Sequence, residues 1–133
     1  LNLGHTLGHA LESALAYRGL RHGEAVAYGL LFALRLAETR GYERAEPALF
    51  ARTRRLVGAL GLPPLPAEGL DPGHLVDLAT RDKKARRSGM VWVLPEALGE
   101  GRAVGRMVDD LEPTELVGEV TSFLADPFAG RPG

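Results

Sequence analysis

The chain has 133 residues, 45% of them hydrophobic, which suits one globular domain with a buried core. A net charge of −1 gives no global electrostatic case for nucleic acid or an anionic membrane as partner. With no cysteine, disulfides and thiolate metal sites are ruled out and a reducing cytoplasm is allowed.

In chain order, the apolar spacing predicts a short helix over 3–17, ended near Gly19, and a second over 22–40. On the second, Ala25, Val26, Gly29, Leu30, Ala33, Leu36 and Ala37 are expected to form the buried face, with Gly41 as the stop. Its apolar stretch, 25–37, is broken by Arg35 and is too short to cross a bilayer. No signal peptide is visible. A third helix is expected over 46–60, with Pro47 in its first turn and Gly61 after its end. The stretch LPPLPAEGL (62–70) reads as an extended loop, because each proline disfavours helix at the residue before it. Asp71 and Pro72 form an N-cap and N1 pair that opens a fourth helix to about Thr80.

The period then changes. MVWVLP (90–95) and RAVGRMV (102–108) read as paired strands, with EALGEG between them as the turn. Two strands alone are marginal, so the hairpin must lie against helices. A last helix starts at Glu112-Pro113 and ends near Ala125, and the tail DPFAGRPG is expected to be loose. The fold class is therefore mainly α: about five helices with one small β-hairpin.

The chemistry concentrates at the start. In LNLGHTLGHALE, the residues Asn2, His5, His9 and Glu12 lie at offsets of 3, 7 and 10, so one helical stripe is polar and titratable. His22 opens HGEAVAYG just after a short loop, and a helical hairpin would return it to the neighbourhood of His5 or His9. Three imidazoles are enough for a divalent metal site. HExxH is absent, and N-cap and packing histidines would show the same spacing. Gly4, Gly8, Gly23 and Gly29 suggest close approach by another backbone or a ligand, or ordinary helix contacts. Of 16 Lys and Arg, 14 are Arg; the two lysines are the neighbours Lys83 and Lys84. The segment RDKKARR is either a solvated turn or a site that needs compact ammonium charges. His74, in the first turn of the fourth helix, is expected to be an ordinary surface residue.

The motifs LNLGHTLGHALE, HGEAVAYG, RDKK and VLPEALG, in this order, resemble the C-terminal domain of the 3-dehydroquinate synthases, over nearly the whole length from Leu1 to about Leu124. The resemblance implies that residues 1–133 are the C-terminal helical domain of such an enzyme. The family's N-terminal NAD-binding domain has no counterpart here, and the chain begins at Leu1 inside a motif, so a fragment or a processed chain is expected. The resemblance implies His5 and His22 as ligands of a divalent metal (Zn2+ or Co2+), with a third ligand, a glutamate, upstream of Leu1. It implies His9 as the residue that contacts substrate and aids proton transfer. Asn2 and one of Lys83 and Lys84 are implied substrate contacts. No cofactor-binding residue for NAD+ is implied in this chain. The implied reaction converts 3-deoxy-D-arabino-heptulosonate 7-phosphate to 3-dehydroquinate and phosphate, in the shikimate pathway of aromatic amino acid biosynthesis. It proceeds by transient NAD-dependent oxidation, phosphate elimination and ring closure, in a cytoplasmic homodimer with no nucleic-acid or membrane partner. The competing readings are another sugar-phosphate cyclase of the same superfamily, an iron- or zinc-dependent alcohol dehydrogenase, against which HGE and DKK argue, and a non-catalytic helical metal-binding module.

Overall fold

The computed structural model describes residues 5–16, 18–66, 70–85 and 91–130, with backbone alone for 82–85. Five helices and one hairpin follow in the order α1 (His5–Ala14), α2 (His22–Thr39), α3 (Pro47–Gly58), α4 (Pro72–Ala85), β1 (Trp92–Gly99), β2 (Arg102–Val108) and α5 (Pro113–Ala125). The mainly α class with a small hairpin is the observed one.

Helix α2 is the axis of the domain, with α1, α3, α5 and β1 packed against it. The predicted one-sided burial is too narrow. Every residue from Leu31 to Ala37 is buried, while Val26 and Leu30 are only half-buried. A helix surrounded by neighbours needs apolar residues all round rather than one stripe. Phe32 lies between Trp92 of β1 and Phe123 of α5, with ring centroids 6.2 and 5.3 Å away, both edge-to-face. Arg35 is buried too. Its terminal nitrogens donate to Asp126 O at 3.0 Å and Ser122 Oγ at 2.6 Å, so its charge meets the carbonyl end of α5.

The helix ends follow local chemistry. The Arg21 backbone N–H donates to Glu24 Oε1 at 2.7 Å at the head of α2, and Gly41 takes φ +73° after its end. Asp71 Oδ2 accepts from the His74 N–H at 2.8 Å, so Asp71 caps α4 as expected, and His74 is exposed. Pro47 and Pro113 occupy the first turns of α3 and α5.

Four boundaries differ from expectation. Helix α1 stops at Ala14, because its last turn tightens (Ala16 N–H to Ser13 O, 3.0 Å) and Ala16 takes φ +53°. Helix α4 continues to Ala85, so the backbone of Lys83 and Lys84 is helix, not turn. Strand β1 runs to Gly99 through most of the segment read as a turn. The register passes from Ala97↔Ala103 to Gly99↔Arg102, which bulges the strand at Leu98. The true loop is Glu100-Gly101, both with positive φ, the pattern of a tight two-residue hairpin. Finally, Asp126–Gly130 is not loose. Phe128 lies 6.0 Å from the Tyr28 ring, and Arg35 holds the Asp126 carbonyl.

Strand β1 turns Trp92, Leu94 and Ala97 into the core, while β2 is exposed except for Val108. The hairpin lies against α2, as its marginal size requires, and Ala97 N–H donates to Tyr42 O at 2.8 Å. Among the described residues, no helix is long and apolar enough to cross a membrane.

Candidate metal and substrate site

Helices α1 and α2 form a hairpin whose seam is set by Gly8. A Cβ there would lie 3.1 Å from Ala25 O and 3.3 Å from the Val26 Cα. The glycine therefore serves close backbone approach, one of the two uses the sequence left open. Gly23 does not share that role, since nothing lies within 4 Å of where its Cβ would be.

That approach brings three histidines together. His5 and His9 come from successive turns of α1, and His22 is the first residue of α2. Their ring centroids form a near-equilateral triangle: 5.9 Å for His5–His9, 6.1 Å for His5–His22 and 6.0 Å for His9–His22. Two imidazoles sharing a tetrahedral ion at about 2.0–2.1 Å per bond have centroids roughly 5 Å apart. The pair His5–His22 is on adjacent helices, as expected, and stands about 1 Å wider than that.

His5 and His9 are half-buried and His22 is exposed. His5 Nδ1 is buried with no hydrogen-bond partner among the described residues. A buried polar atom without a partner is rare and calls for a bound group or solvent to satisfy it. Glu12, one turn beyond His9, is buried, and its Oε1 lies 3.0 Å from His22 Nδ1. His9, Glu12 and His22 each offer a ligand atom within 4.8 Å of the others, so the cluster can hold a metal ion. A donor set of imidazoles with one carboxylate fits a divalent transition ion. The sequence reading placed Glu12 on the polar stripe but gave it no role. Its position three residues after His9 was the available signal.

The other expected contacts fall elsewhere. Asn2 lies outside the described residues. Lys83 and Lys84 belong to the last turn of α4, which packs against α1, and the described structure stops at their backbone. Below the histidines, Tyr28 is buried and donates its hydroxyl to Pro63 O at 2.7 Å, pinning the loop after α3 to α2. Burial, with the nearby Glu24 carboxylate as the smaller cause, pushes the Tyr28 hydroxyl above its ordinary value of 10.0. No sequence signal pointed to this contact.

Comparison with known proteins agrees with the motifs. The family model described as "3-dehydroquinate synthase C-terminal" matches residues 1–85. A 3-dehydroquinate synthase of Desulforamulus reducens is 44% identical over 100 residues, covering 75% of this chain and 27% of that protein. One from Thermosynechococcus vestitus is 42% identical over 119 residues, covering 90% of this chain and 30% of that protein. The chain thus spans less than a third of the length of these two relatives. Among solved structures, a 2-deoxy-scyllo-inosose synthase shares the fold, with a TM-score of 0.61 at 20% identity, over 91% of this chain and 31% of that one. By a family match that covers well over half its residues, this chain belongs to the 3-dehydroquinate synthase C-terminal family.

Proposed function

We propose that this chain supplies the metal- and substrate-binding half of a 3-dehydroquinate synthase, which converts 3-deoxy-D-arabino-heptulosonate 7-phosphate to 3-dehydroquinate and phosphate. The observation that supports this reading is the meeting of the His5, His9 and His22 rings about 6 Å apart, with a buried His5 nitrogen that has no partner among the described residues and with His9, Glu12 and His22 close enough to share an ion. In this reading His5 and His22, from two helices, would hold a divalent ion, Zn2+ or Co2+. When bound, the metal supplies Lewis acidity toward substrate oxygens, and NAD+, held by a separate domain, supplies reversible hydride acceptance. His9 faces the same space from the next turn of α1, where a neutral imidazole hydrogen-bonds substrate and relays protons. Asn2 and one lysine of the DKK segment bind substrate. The lysine supplies an ammonium for its carboxylate or phosphate. In this reading turnover needs NAD+ as well as the metal, so residues 1–133 tested by themselves are expected to show none.

The test separates ligands from the proton relay, in a full-length enzyme that carries this chain. His9→Ala lowers turnover while metal content stays near one per chain, whereas His5→Ala and His22→Ala lose the metal. Metal lost in His9→Ala but kept in His22→Ala would reverse the two roles. For the lysines, Arg keeps the charge but changes shape and reach. Losing a charge-assisted contact costs roughly 1.5–3 kcal/mol, on the order of ten- to a hundredfold in kcat/KM. One of Lys83→Arg and Lys84→Arg shows that loss and the other does not. Unchanged kinetics in both would return the segment to a solvated helix end. Turnover of sedoheptulose phosphate in place of the keto acid phosphate would move the enzyme to a sibling cyclase activity.

A further inference from the structure

Glu12 is unusual on two counts: it is a buried carboxylate in a small helical domain, and it touches one member of the histidine triangle. Only 8% of its surface is exposed. Burying a carboxylate is expensive unless it is paired and hydrogen-bonded. Its Oε1 lies 3.0 Å from His22 Nδ1, and the His22 side chain is itself 61% exposed. The buried partner is therefore the fixed one, and the exposed imidazole is the one held.

The geometry points to Glu12 as the positioning residue that sets the ring orientation and tautomer of His22, so that Nε2 is presented to the metal. This inference rests on the reading of His22 as a ligand. A carboxylate oxygen accepts, so in this pair the hydrogen sits on His22 Nδ1. A neutral imidazole protonated at Nδ1 has its lone pair on Nε2, the atom that then faces the ion. Metal-bound histidines regularly donate their other N–H to a carboxylate in this way.

The alternative role for Glu12 is direct coordination, which the closeness of His9, Glu12 and His22 makes geometrically open. The 3.0 Å separation argues for orientation. Ligands at about 2.0–2.1 Å in a tetrahedral shell sit roughly 3.3 Å or more apart. A contact of 3.0 Å is instead an ordinary N–H···O hydrogen bond. Position supports this as well. Glu12 lies on the stripe of His5 and His9 but a turn deeper along α1, where it reaches the first residue of α2 as a side brace.

Two readouts that need no turnover test the assignment. Long-range 15N–1H correlation on the metal-free chain reads the tautomer of His22. Titration of a metal-free full-length enzyme that carries this chain with Co2+, followed by its visible absorption, reads affinity and ligand set. We expect wild-type His22 to carry its hydrogen on Nδ1. Glu12→Ala moves His22 toward the other tautomer and weakens Co2+ about 10- to 100-fold. Glu12→Gln keeps an accepting oxygen and a filled site, so it retains most of the affinity and the wild-type spectrum. A wild-type His22 with its hydrogen on Nε2 overturns the proposal. So does a Glu12→Gln variant that loses Co2+ as fully as Glu12→Ala with an altered spectrum, the mark of a lost ligand. If Glu12→Ala binds Co2+ as tightly as wild type, Glu12 has no role but the metal reading stands. If a full-length enzyme that carries the wild-type chain takes up no Co2+ although His22 is the Nδ1–H tautomer, the metal reading itself fails and the role of Glu12 falls with it.

Discussion

The two ends of α2 put polar side chains to opposite uses. Near its C-terminal end, Arg35 is buried and its terminal nitrogens donate to Asp126 O and Ser122 Oγ. Those bonds fasten α5 and the segment after it to the core. At the N-terminal end, His22 is exposed, braced on one nitrogen by Glu12, and its ring stands about 6 Å from two others. The difference teaches that one helix can use a polar side chain to close the core at one end and to join a cluster of metal-type donors at the other. Arg35 directs its terminal nitrogens to acceptors within its own fold, while its Nε has no partner among the described residues. The three histidine rings stand about 6 Å from one another, and His9, Glu12 and His22 bring ligand atoms within 4.8 Å of one another.

The sharpest way to break this comparison is to strike the buried end and ask whether the histidine end survives. Phe32 is fully buried between Trp92 and Phe123. Phe32→Ala is expected to destabilise the chain by about 3–5 kcal/mol, from lost transfer energy and the cavity left behind. Urea unfolding measures it. Well below the midpoint, Co2+ uptake by the molecules that remain folded should match wild type. If uptake fails in folded molecules, the two ends of α2 are not separable.

Arg35→Met comes next. It removes the three hydrogen bonds of a charged donor, to Asp126 O, Ser122 Oγ and, at a long 3.4 Å, Ala129 O, the shorter two worth roughly 1.5–3 kcal/mol each, while methionine fills part of the space. The net loss is expected at about 2–3 kcal/mol in the same urea assay. It should be accompanied by exposure of the segment after α5 to protease, since the Asp126 carbonyl is then unheld. A variant as stable as wild type would show that Arg35 is merely tolerated in the core.

Gly8 joins the two ends, because its missing side chain lets α1 lie against the Ala25 and Val26 backbone. Gly8→Ala gains about 1 kcal/mol in helix propensity. The new methyl meets backbone that cannot turn aside, and overpacking of this kind costs about 1–3 kcal/mol. A net loss of about 1 kcal/mol is expected, with Co2+ affinity reduced because α1 carries His5 and His9 away from His22. A more stable variant with unchanged affinity would mean that the seam is looser than its distances indicate.

How much of this was legible beforehand depends on the range of the interaction. Caps and stops such as Asp71, Pro113 and Gly41 act within one turn of helix, so the sequence shows them directly. The histidine stripe was legible for the same reason, since helical spacing is local. The full burial of Leu31–Ala37 was not, because it depends on what surrounds α2 rather than on α2 itself. The continuation of α4 through Lys83 and Lys84 was hidden by a charged run that reads equally well as a turn. The brace between Glu12 and His22 needed the α1–α2 hairpin to exist before either residue could be assigned to the other. The folding back of Phe128 onto Tyr28 needed the whole core.

The smallest expected effect concerns Tyr28, between the two ends of α2, and it sharpens the comparison by changing with pH. Its buried hydroxyl donates to Pro63 O, and Tyr28→Phe removes that bond. At neutral pH the loss is expected to be about 1 kcal/mol, because the Pro63 carbonyl keeps its position but loses its donor. Burial raises the hydroxyl above its ordinary 10.0, with Glu24 adding to the shift. The folded chain therefore holds this proton more tightly than the unfolded chain does. The stabilisation is fully present below about pH 10 and is lost as pH rises through the higher folded value. Tyr28→Phe has no such proton to lose. Urea unfolding of both chains, at neutral pH and again above pH ~10, should show the gap between them narrowing as pH rises. A gap that stays constant would mean that the Tyr28 hydroxyl titrates alike in both states, and that its bond to Pro63 does not hold the loop after α3 against the core.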